Sequence, residues 1–270
     1  MRIALISTEI ITVVCVFVGS AFAQWVGYPT PGIPRTKDGK PNLTAPAPKT
    51  REGRPDLSGI WMMVYPKDVF ARLVKEGVGP NLRDLMPEGT EIPLHPTAAA
   101  LYKQRSDSLG KGRPSSMCLP HGIPDAMLVS VFEPFKVVQT PGFTIILFEV
   151  SNHYRQILTD GRRHPTDGNP AWFGYSIGTW DRNTFVVETK GFNDRSWLDD
   201  YGLPHSEALH TTERFERRDF GHMDVQITID DPQAYTRPWS FMLHFELKAD
   251  TELLEDICEN EKDTAHSVGR

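Results

Sequence analysis

The chain has 270 residues, a formal net charge of −6 and 39% hydrophobic residues. This acidic balance lacks the basic excess that favours phosphate backbones, so we expect no nucleic acid partner. The length fits one domain with a sizeable core, or one domain with appended segments, and we favour the second interpretation.

Residues 1–23 have the pattern of a signal peptide. Arg2 supplies a positive start, residues 10–19 form an apolar run, and Ala-Phe-Ala at 21–23 is a cleavage signal before Gln24. No later stretch approaches the roughly 20 apolar residues that a membrane helix needs. We therefore expect a periplasmic or secreted protein without a membrane span.

Residues 24–56 are predicted to form a proline- and glycine-rich N-terminal arm. The arm contains a near-repeat, in which residues 35–44 (RTKDGKPNLT) recur as residues 49–58 (KTREGRPDLS). The Asp-Gly and Glu-Gly steps predict turns, and the prolines that follow exclude a helix. An arm of this kind lies along the domain surface or reaches a neighbour, so self-association through it is a further expectation.

Residues 57–270 are predicted to form a single β-barrel domain. A strand at 57–64 precedes a helical insertion at about 67–125, with helices at 68–76 and 95–106. From residue 132 onward the apolar period becomes extended, with strands at 135–139, 143–150, 154–158, 173–180, 184–189, 209–217, 223–229 and 239–247.

Successive hairpins of this kind indicate a mainly β fold. The strands form an antiparallel meander that closes into a lipocalin-like barrel, or splits into a two-sheet sandwich as the alternative, because either arrangement removes open edges. A C-terminal helix is expected at 251–260, where Leu253, Leu254 and Ile257 would form its apolar stripe.

Cys118 and Cys258 are the only cysteines outside the leader. In an oxidising compartment they are predicted to form a disulfide, which would stabilise the fold by very roughly 4–5 kcal/mol on the chain-entropy model. Two buried free cysteines are the alternative.

The densest cluster of polar and aromatic residues lies between residues 149 and 213. A histidine beside a carboxylate suits general acid/base chemistry, because the carboxylate fixes the tautomer and raises the basicity of the imidazole. We predict His205 or His164 as the base, Glu207 as the group that orients it, and Arg155 as the group that stabilises a developing oxyanion.

A small organic substrate is expected in an amphipathic barrel cavity. The predicted binding residues are His153, Tyr175, Trp180, Trp197, Asn193 and Asp200. No cofactor is expected. As an alternative, His205, Glu207 and His210 would bind zinc or iron, although their H-x-E-x-x-H spacing differs from that of known zinc motifs.

Several segments together resemble a widespread family of exported bacterial proteins of unassigned activity. These segments are residues 39–43, 53–61, 118–120, 155–157, 160–162, 181–189, 204–209, 212–214 and 230–239. The resemblance implies export and carries over no catalytic residue. At the level of architecture alone, the chain is also similar to lipocalin-like barrels that bind or transform hydrophobic molecules.

The sequence thus predicts an exported, cofactor-independent lyase, isomerase or hydrolase with a His–carboxylate pair in a barrel cavity. Two alternatives remain open at this point. One is a non-catalytic binding protein for a hydrophobic or aromatic small molecule, and the other is a metal-dependent enzyme that uses the His205, Glu207 and His210 cluster.

Overall fold

A computed structural model describes residues 28–258, and within them the chain folds into a closed β-barrel. The predicted signal peptide at 1–23 lies outside the described residues. The nine strands are β1 (Gly59–Met63), β2 (Phe135–Thr140), β3 (Phe143–Phe148), β4 (Tyr154–Leu158), β5 (Tyr175–Asp181), β6 (Thr184–Lys190), β7 (His210–Arg217), β8 (His222–Asp230) and β9 (Trp239–Leu247).

The strands follow one another around the barrel in chain order, and β1 pairs with β9 to close it. The mainly β barrel is thus confirmed, and the two-sheet alternative is excluded because no edge remains open. One pair departs from the expected antiparallel meander: β4 and β5 are parallel, with Ile157 opposite Ser176. Residues 159–174 run back along the barrel between these strands and are long enough for such a crossover.

The barrel interior is filled by side chains. Along β8 and β9, buried residues alternate with more exposed ones, as the sequence pattern predicts for a wall with one wet face. Large aromatic side chains occupy inward positions on many strands, including Trp61, Phe135, Phe185, Phe215 and Phe245. The amphipathic cavity expected at the centre is therefore replaced by a packed core, because aromatic residues fill a small barrel.

The helical insertion covers one end of the barrel, which we call the insertion end. Its helices are α1 (Lys67–Glu76), α2 (Pro96–Asp107) and α3 (Asp125–Leu128), with 3-10 turns at Leu82–Leu85, Pro114–Met117 and Val129–Val131. Residues 191–209, between β6 and β7, lie at the same end, where the backbone N–H of Asp200 donates to the carbonyl of Pro80.

The N-terminal arm lies against the opposite end, which we call the arm end. Both copies of its repeat form the same turn. Thr36 N–H donates to the backbone carbonyl of Lys40, and at the equivalent position Thr50 N–H donates to the backbone carbonyl of Arg54. The first turn is held by an ion pair between Arg35 and Asp250. The two similar sequences therefore form the same local turn at two different places on the barrel surface.

The predicted disulfide between Cys118 and Cys258 is present. The predicted C-terminal helix is wrong over residues 251–258, which are not helical. Contacts with the barrel explain the difference, because Leu254 N–H donates to the Glu149 carboxylate at 2.8 Å and the Asp256 carboxylate accepts from Ser151 N–H at 2.6 Å. The disulfide and these bonds hold the segment against the insertion end.

Among the helices within residues 28–258, none has both the length and the apolar character needed to cross a bilayer.

Candidate active site at the insertion end of the barrel

A buried histidine and aspartate occupy the segment that leads into α3. Asp125 is the first residue of α3, and His121 stands four residues earlier. The backbone of residues 121–125 brings the two side chains together, with His121 Nδ1 donating to Asp125 Oδ2 at 2.6 Å. His121 is 8% exposed and Asp125 is 3% exposed. The bond to Nδ1 leaves Nε2 as the ring nitrogen available to another group.

A glycine between them lets this segment pack against the 191–209 loop. Gly122 has φ +80°, and a Cβ there would lie 2.6 Å from Ser196 Oγ. A larger residue would therefore be strained by its backbone and would also clash. Close packing at Gly122 brings the loop carboxylates to the His121 side chain.

The loop contributes two consecutive aspartates with different roles. Asp199 accepts backbone N–H bonds from Tyr201, Leu203 and Leu82, so it holds the loop to the insertion. Asp200 is 5% exposed and lies beside Arg113, whose Nε is 3.1 Å from Oδ1. The Asp199 carboxylate is thus bound by three backbone donors, whereas the Asp200 carboxylate lies beside His121 and Asp125.

One donor or acceptor atom each from His121, Asp125 and Asp200 lies within 4.8 Å of the others. Asp125 Oδ1 and Asp200 Oδ1 are buried without a hydrogen-bond partner, although the latter keeps its ion pair with Arg113. Buried polar atoms are nearly always paired in folded proteins. Two carboxylate oxygens without a hydrogen bond in one cluster therefore indicate a place where a proton or a ligand is received.

The electrostatics of this cluster favour proton transfer. Burial, reinforced by the Asp125 charge, raises the pKa of Asp200 to about 7. Burial also raises the pKa of Asp125, against the opposing effect of His121. For His121, burial disfavours the charged ring, but attraction and hydrogen bonding to Asp125 outweigh it and raise its pKa. The site therefore places a histidine with a raised pKa next to the Asp200 carboxyl group, which can gain or lose a proton near neutral pH.

Within residues 28–258, these three side chains are also the one group of histidine, cysteine and carboxylate residues close enough to hold a metal ion. Two of their atoms are already engaged, since His121 Nδ1 donates to Asp125 and Arg113 pairs with Asp200. The guanidinium charge beside Asp200 further disfavours a second cation. We therefore interpret the cluster as an acid/base site.

A cleft of about 370 Å³ opens beside the cluster and gives it access to solvent. Its wall includes His121, Asp200 and Arg113, together with Asp256 and Cys258 from the C-terminal segment. The disulfide thus has a local effect, because it fixes one wall of the cleft next to the acid/base residues.

The predicted base His205 lies in the same region but is fully engaged. Its Nδ1 donates to the carbonyl of Ser206 at 3.1 Å, and its Nε2 accepts from Ser196 Oγ at 2.8 Å. Burial lowers its pKa. The predicted partner Glu207 is exposed, and Ser196 takes its place beside His205. The prediction that Glu207 orients His205 is therefore wrong, because residues 205–209 form a turn and not a strand that would align the two.

The alternative metal site is not formed. Among the described residues, His205, Glu207 and His210 do not converge into a group that could hold an ion. His210 begins β7 and points toward Glu188, whose Oε1 lies 3.7 Å from Nε2.

The predicted oxyanion group Arg155 lies inside the barrel. Its guanidinium pairs with Glu213 and donates to Ser176 Oγ at 3.0 Å and to Thr189 Oγ1 at 2.8 Å. It is 2% exposed, so the prediction that it stabilises a substrate oxyanion is wrong. Strand alternation directs Arg155 inward, and the inward residues of β5, β6 and β7 supply its partners.

The other predicted residues are distributed over both ends and the outside of the barrel. His164 donates from Nε2 to the carbonyl of Glu188 at 3.0 Å, and its ring lies 6.1 Å from that of Tyr175. Asn193 accepts from Arg195 N–H within its own turn. Trp180 lies at the arm end. His153 is half-buried and packs against Phe173. Trp197 and Asp200 lie next to the cleft at the insertion end.

The sequence prediction missed His121, Asp125 and Arg113. Their signal was the spacing of a histidine four residues before an aspartate at a helix start, shortly after Cys118. This signal is weak, because His121 precedes the helix and the i, i+4 rule applies only within one.

Neither a scan against protein-family models nor a search of curated proteins found a match for this chain. The resemblance to exported bacterial proteins therefore stays a prediction.

Proposed function

We propose that this protein is a proton-transfer enzyme, a lyase or isomerase, that acts on a small organic molecule in the insertion-end cleft. The observation that carries the proposal is the convergence of His121, Asp125 and Asp200 around two buried carboxylate oxygens without hydrogen-bond partners. Proton-transfer enzymes need a base and an acid whose pKa values lie near the working pH, and these are shifted by burial and by neighbouring charges.

Asp200 is the general base in this proposal. A carboxyl group with a pKa of about 7 combines a substantial ionised fraction at neutral pH with high basicity. It would take a proton from a C–H or O–H bond of the substrate. Arg113, 3.1 Å away, keeps the carboxylate in place.

His121 is the general acid. Asp125 binds Nδ1 and favours the protonated ring, so Nε2 is free to give its proton to a substrate oxygen. The proton lost by the substrate goes to Asp200, and the proton gained by its oxygen comes from His121. A lyase releases this oxygen with the leaving group, whereas an isomerase forms an enol that is protonated at another carbon.

The disulfide and the leader-like residues 1–23 support a place of action in the periplasm or outside the cell. A cofactor is not required by the proposed roles of these side chains.

The test is hydrogen exchange into small carbonyl compounds in D2O. We expect the protein to accelerate loss of the C–H signal in proton NMR spectra for members of a panel of 2-oxo and 3-hydroxy acids. Asp200→Asn and His121→Gln should each slow this exchange by about 10²–10⁴-fold, the usual contribution of a general acid or base. Glu207 is an exposed carboxylate in the same loop, so Glu207→Gln is the matched control and should catalyse exchange at the rate of the unmodified protein.

Equal exchange rates in the unmodified protein and in Asp200→Asn would contradict the proposal. Exchange that disappears after dialysis against EDTA and returns with Zn²⁺ or Mn²⁺ would instead assign the cluster to a metal-dependent enzyme.

A further inference from the structure

A second cavity, of about 470 Å³, lies at the arm end of the barrel, on the side opposite the proposed active site. One wall is the second turn of the arm, residues 50–56, and the other is the β2–β3 hairpin with Thr144, Thr159 and Trp180. This volume falls in the range of small-molecule sites in proteins.

The arm wall is fastened to the barrel by hydrogen bonds. Gln139 of β2 accepts from Leu57 N–H at 2.9 Å and donates to the carbonyl of Pro55 at 3.4 Å. Arg217 of β7 donates to the carbonyls of Asp56 and Ser58. Because these bonds position the turn, the cavity is formed before any ligand arrives, which lowers the entropic cost of binding.

Trp180 supplies an aromatic surface in this cavity. Its ring packs against Phe185, with centroids 5.0 Å apart, so the indole is held in a fixed orientation. The Arg54 guanidinium lies over the same indole, 5.7 Å from the ring centroid. The guanidinium covers part of the indole, and a planar ligand ring can contact the part of Trp180 that stays exposed beside this positive charge.

The two arginines of the turn form no close ion pair. Within residues 28–258, neither Arg51 nor Arg54 lies within 4.0 Å of a carboxylate oxygen, although both attract the Glu52 carboxylate over a longer distance. The pKa of Glu52 is lowered chiefly by a backbone hydrogen bond of its own turn and by Thr50, with a smaller contribution from Arg54 and Arg51, and Asp56 Oδ1 accepts from Ser58 N–H at 2.9 Å. The guanidinium groups therefore remain available to a ligand anion, which they bind well because of their forked geometry.

We infer that the arm-end cavity binds a planar aromatic carboxylate, with the ring on Trp180 and the carboxylate on Arg54. The site is independent of the proposed active site, since the two lie at opposite ends of the barrel.

The near-repeat supplies a matched control for this inference. Lys40 occupies the position in the first turn that Arg54 occupies in the second, with the same backbone bonds around it. Lys40 lies outside the cavity wall and pairs with Asp38 at 3.4 Å. Lys40→Ala therefore removes an equivalent charge from an equivalent turn without changing the cavity.

The experiment is calorimetric titration of the full chain with 2-naphthoate. We expect saturable binding, a roughly tenfold rise in Kd for Arg54→Ala and for Trp180→Ala, and no change for Lys40→Ala. The neutral probe 2-naphthamide should bind about tenfold more weakly than 2-naphthoate to the unmodified protein, and no more weakly to Arg54→Ala than to the unmodified protein. Trp180→Phe keeps an aromatic ring and should retain most of the affinity, which covers the case in which Trp180→Ala fails to fold.

Absence of binding at millimolar 2-naphthoate would overturn the inference, as would equal losses in Arg54→Ala and Lys40→Ala. Cyclohexanecarboxylate that binds as tightly as 2-naphthoate would also overturn it, because the ring would then make no specific contribution. Asp200→Asn should bind 2-naphthoate normally, so failure of the proposed enzymatic function and failure of this inference are distinguishable.

Discussion

Two buried charge clusters in this molecule differ in how completely they are paired. Inside the barrel, the Arg155 guanidinium and the Glu213 carboxylate face each other, and Ser176 and Thr189 take further donors of the guanidinium. At the insertion end, His121, Asp125 and Asp200 leave two carboxylate oxygens without a hydrogen bond. A fully paired cluster has no capacity left for a substrate, whereas an incompletely paired one is a candidate for chemistry.

The same comparison separates structural from functional carboxylates. Glu213 is as deeply buried as Asp200, yet both of its carboxylate oxygens accept hydrogen bonds from the Arg155 guanidinium. Burial and the nearby Asp125 charge raise the pKa of Asp200, and its interactions with His121, Arg113 and Ser115 oppose this only in part. Burial alone therefore does not single out Asp200, but burial together with incomplete pairing makes it a candidate.

The largest effect on stability is expected inside the barrel. Glu213→Ala would leave the Arg155 charge buried without a partner, so the free energy of unfolding should fall by about 3–5 kcal/mol in urea titrations. Arg155→Met combined with Glu213→Leu removes both charges and should recover most of this loss. A single-variant loss below about 1 kcal/mol would contradict a structural role for the pair.

Asp200→Asn should instead stabilise the protein at high pH. The folded-state pKa of Asp200, about 7, exceeds its ordinary value of 3.8, so the folded state retains a proton that the unfolded state has lost. The retained proton adds to the free energy of unfolding at low pH. This added stability is lost as the pH rises from about 4 to about 7. Asn carries no charge, so we expect Asp200→Asn to be more stable than the unmodified protein by about 1–3 kcal/mol at pH 8.

Urea titrations at pH 5 and pH 8 measure this difference. The variant should retain a smaller slope in the same direction, because the pKa of Asp199 is raised to about 6 by burial and that of His121 is also raised. Equal pH dependence in the two proteins would show that Asp200 is already ionised in the folded state and would weaken its role as the base.

The smallest effect is expected at His205, because both of its ring nitrogens already have hydrogen-bond partners. Ser196→Ala removes the donor to Nε2 and should lower the free energy of unfolding by about 1–2 kcal/mol. Because burial lowers the pKa of His205, its contribution to stability is present above pH 6.5 and is lost as pH falls. Glu207→Gln is the control and should change stability by less than about 0.5 kcal/mol in the same titrations. A larger effect of Glu207→Gln than of Ser196→Ala would instead support the pairing of His205 with Glu207 that the sequence predicted.

Much of the barrel could be predicted because strands and hairpins depend on local patterns. The predicted strand at 154–158 coincides with β4, and the predicted strand at 239–247 coincides with β9. The C-terminal helix failed for the opposite reason. Leu253, Leu254 and Ile257 have helical spacing, but Leu254 N–H and the Asp256 carboxylate bond to Glu149 and Ser151 in a segment that is not helical. Tertiary contacts overrode a short local preference.

The candidate site was harder to predict because its members come from separate parts of the chain. His121 and Asp125 meet through local spacing, whereas Asp200 reaches them only when the 191–209 loop packs on Gly122 and Gly79. His205 and Glu207, two residues apart, looked like a pair on a strand, but the turn at 205–209 separates them. Nearness in sequence predicted a contact that the backbone conformation does not allow.

The sequence by itself determined the mainly β barrel, the helical insertion and the pairing of Cys118 with Cys258, because alternation, turn residues and a single cysteine pair are local or countable properties. Only the tertiary structure decided which charges are paired. Arg155 became structural because three other strands supply its partners, and Asp200 became a candidate base because burial beside Asp125 leaves it incompletely paired. Pairing and burial depend on distances between remote segments, and these distances exist only in the folded chain.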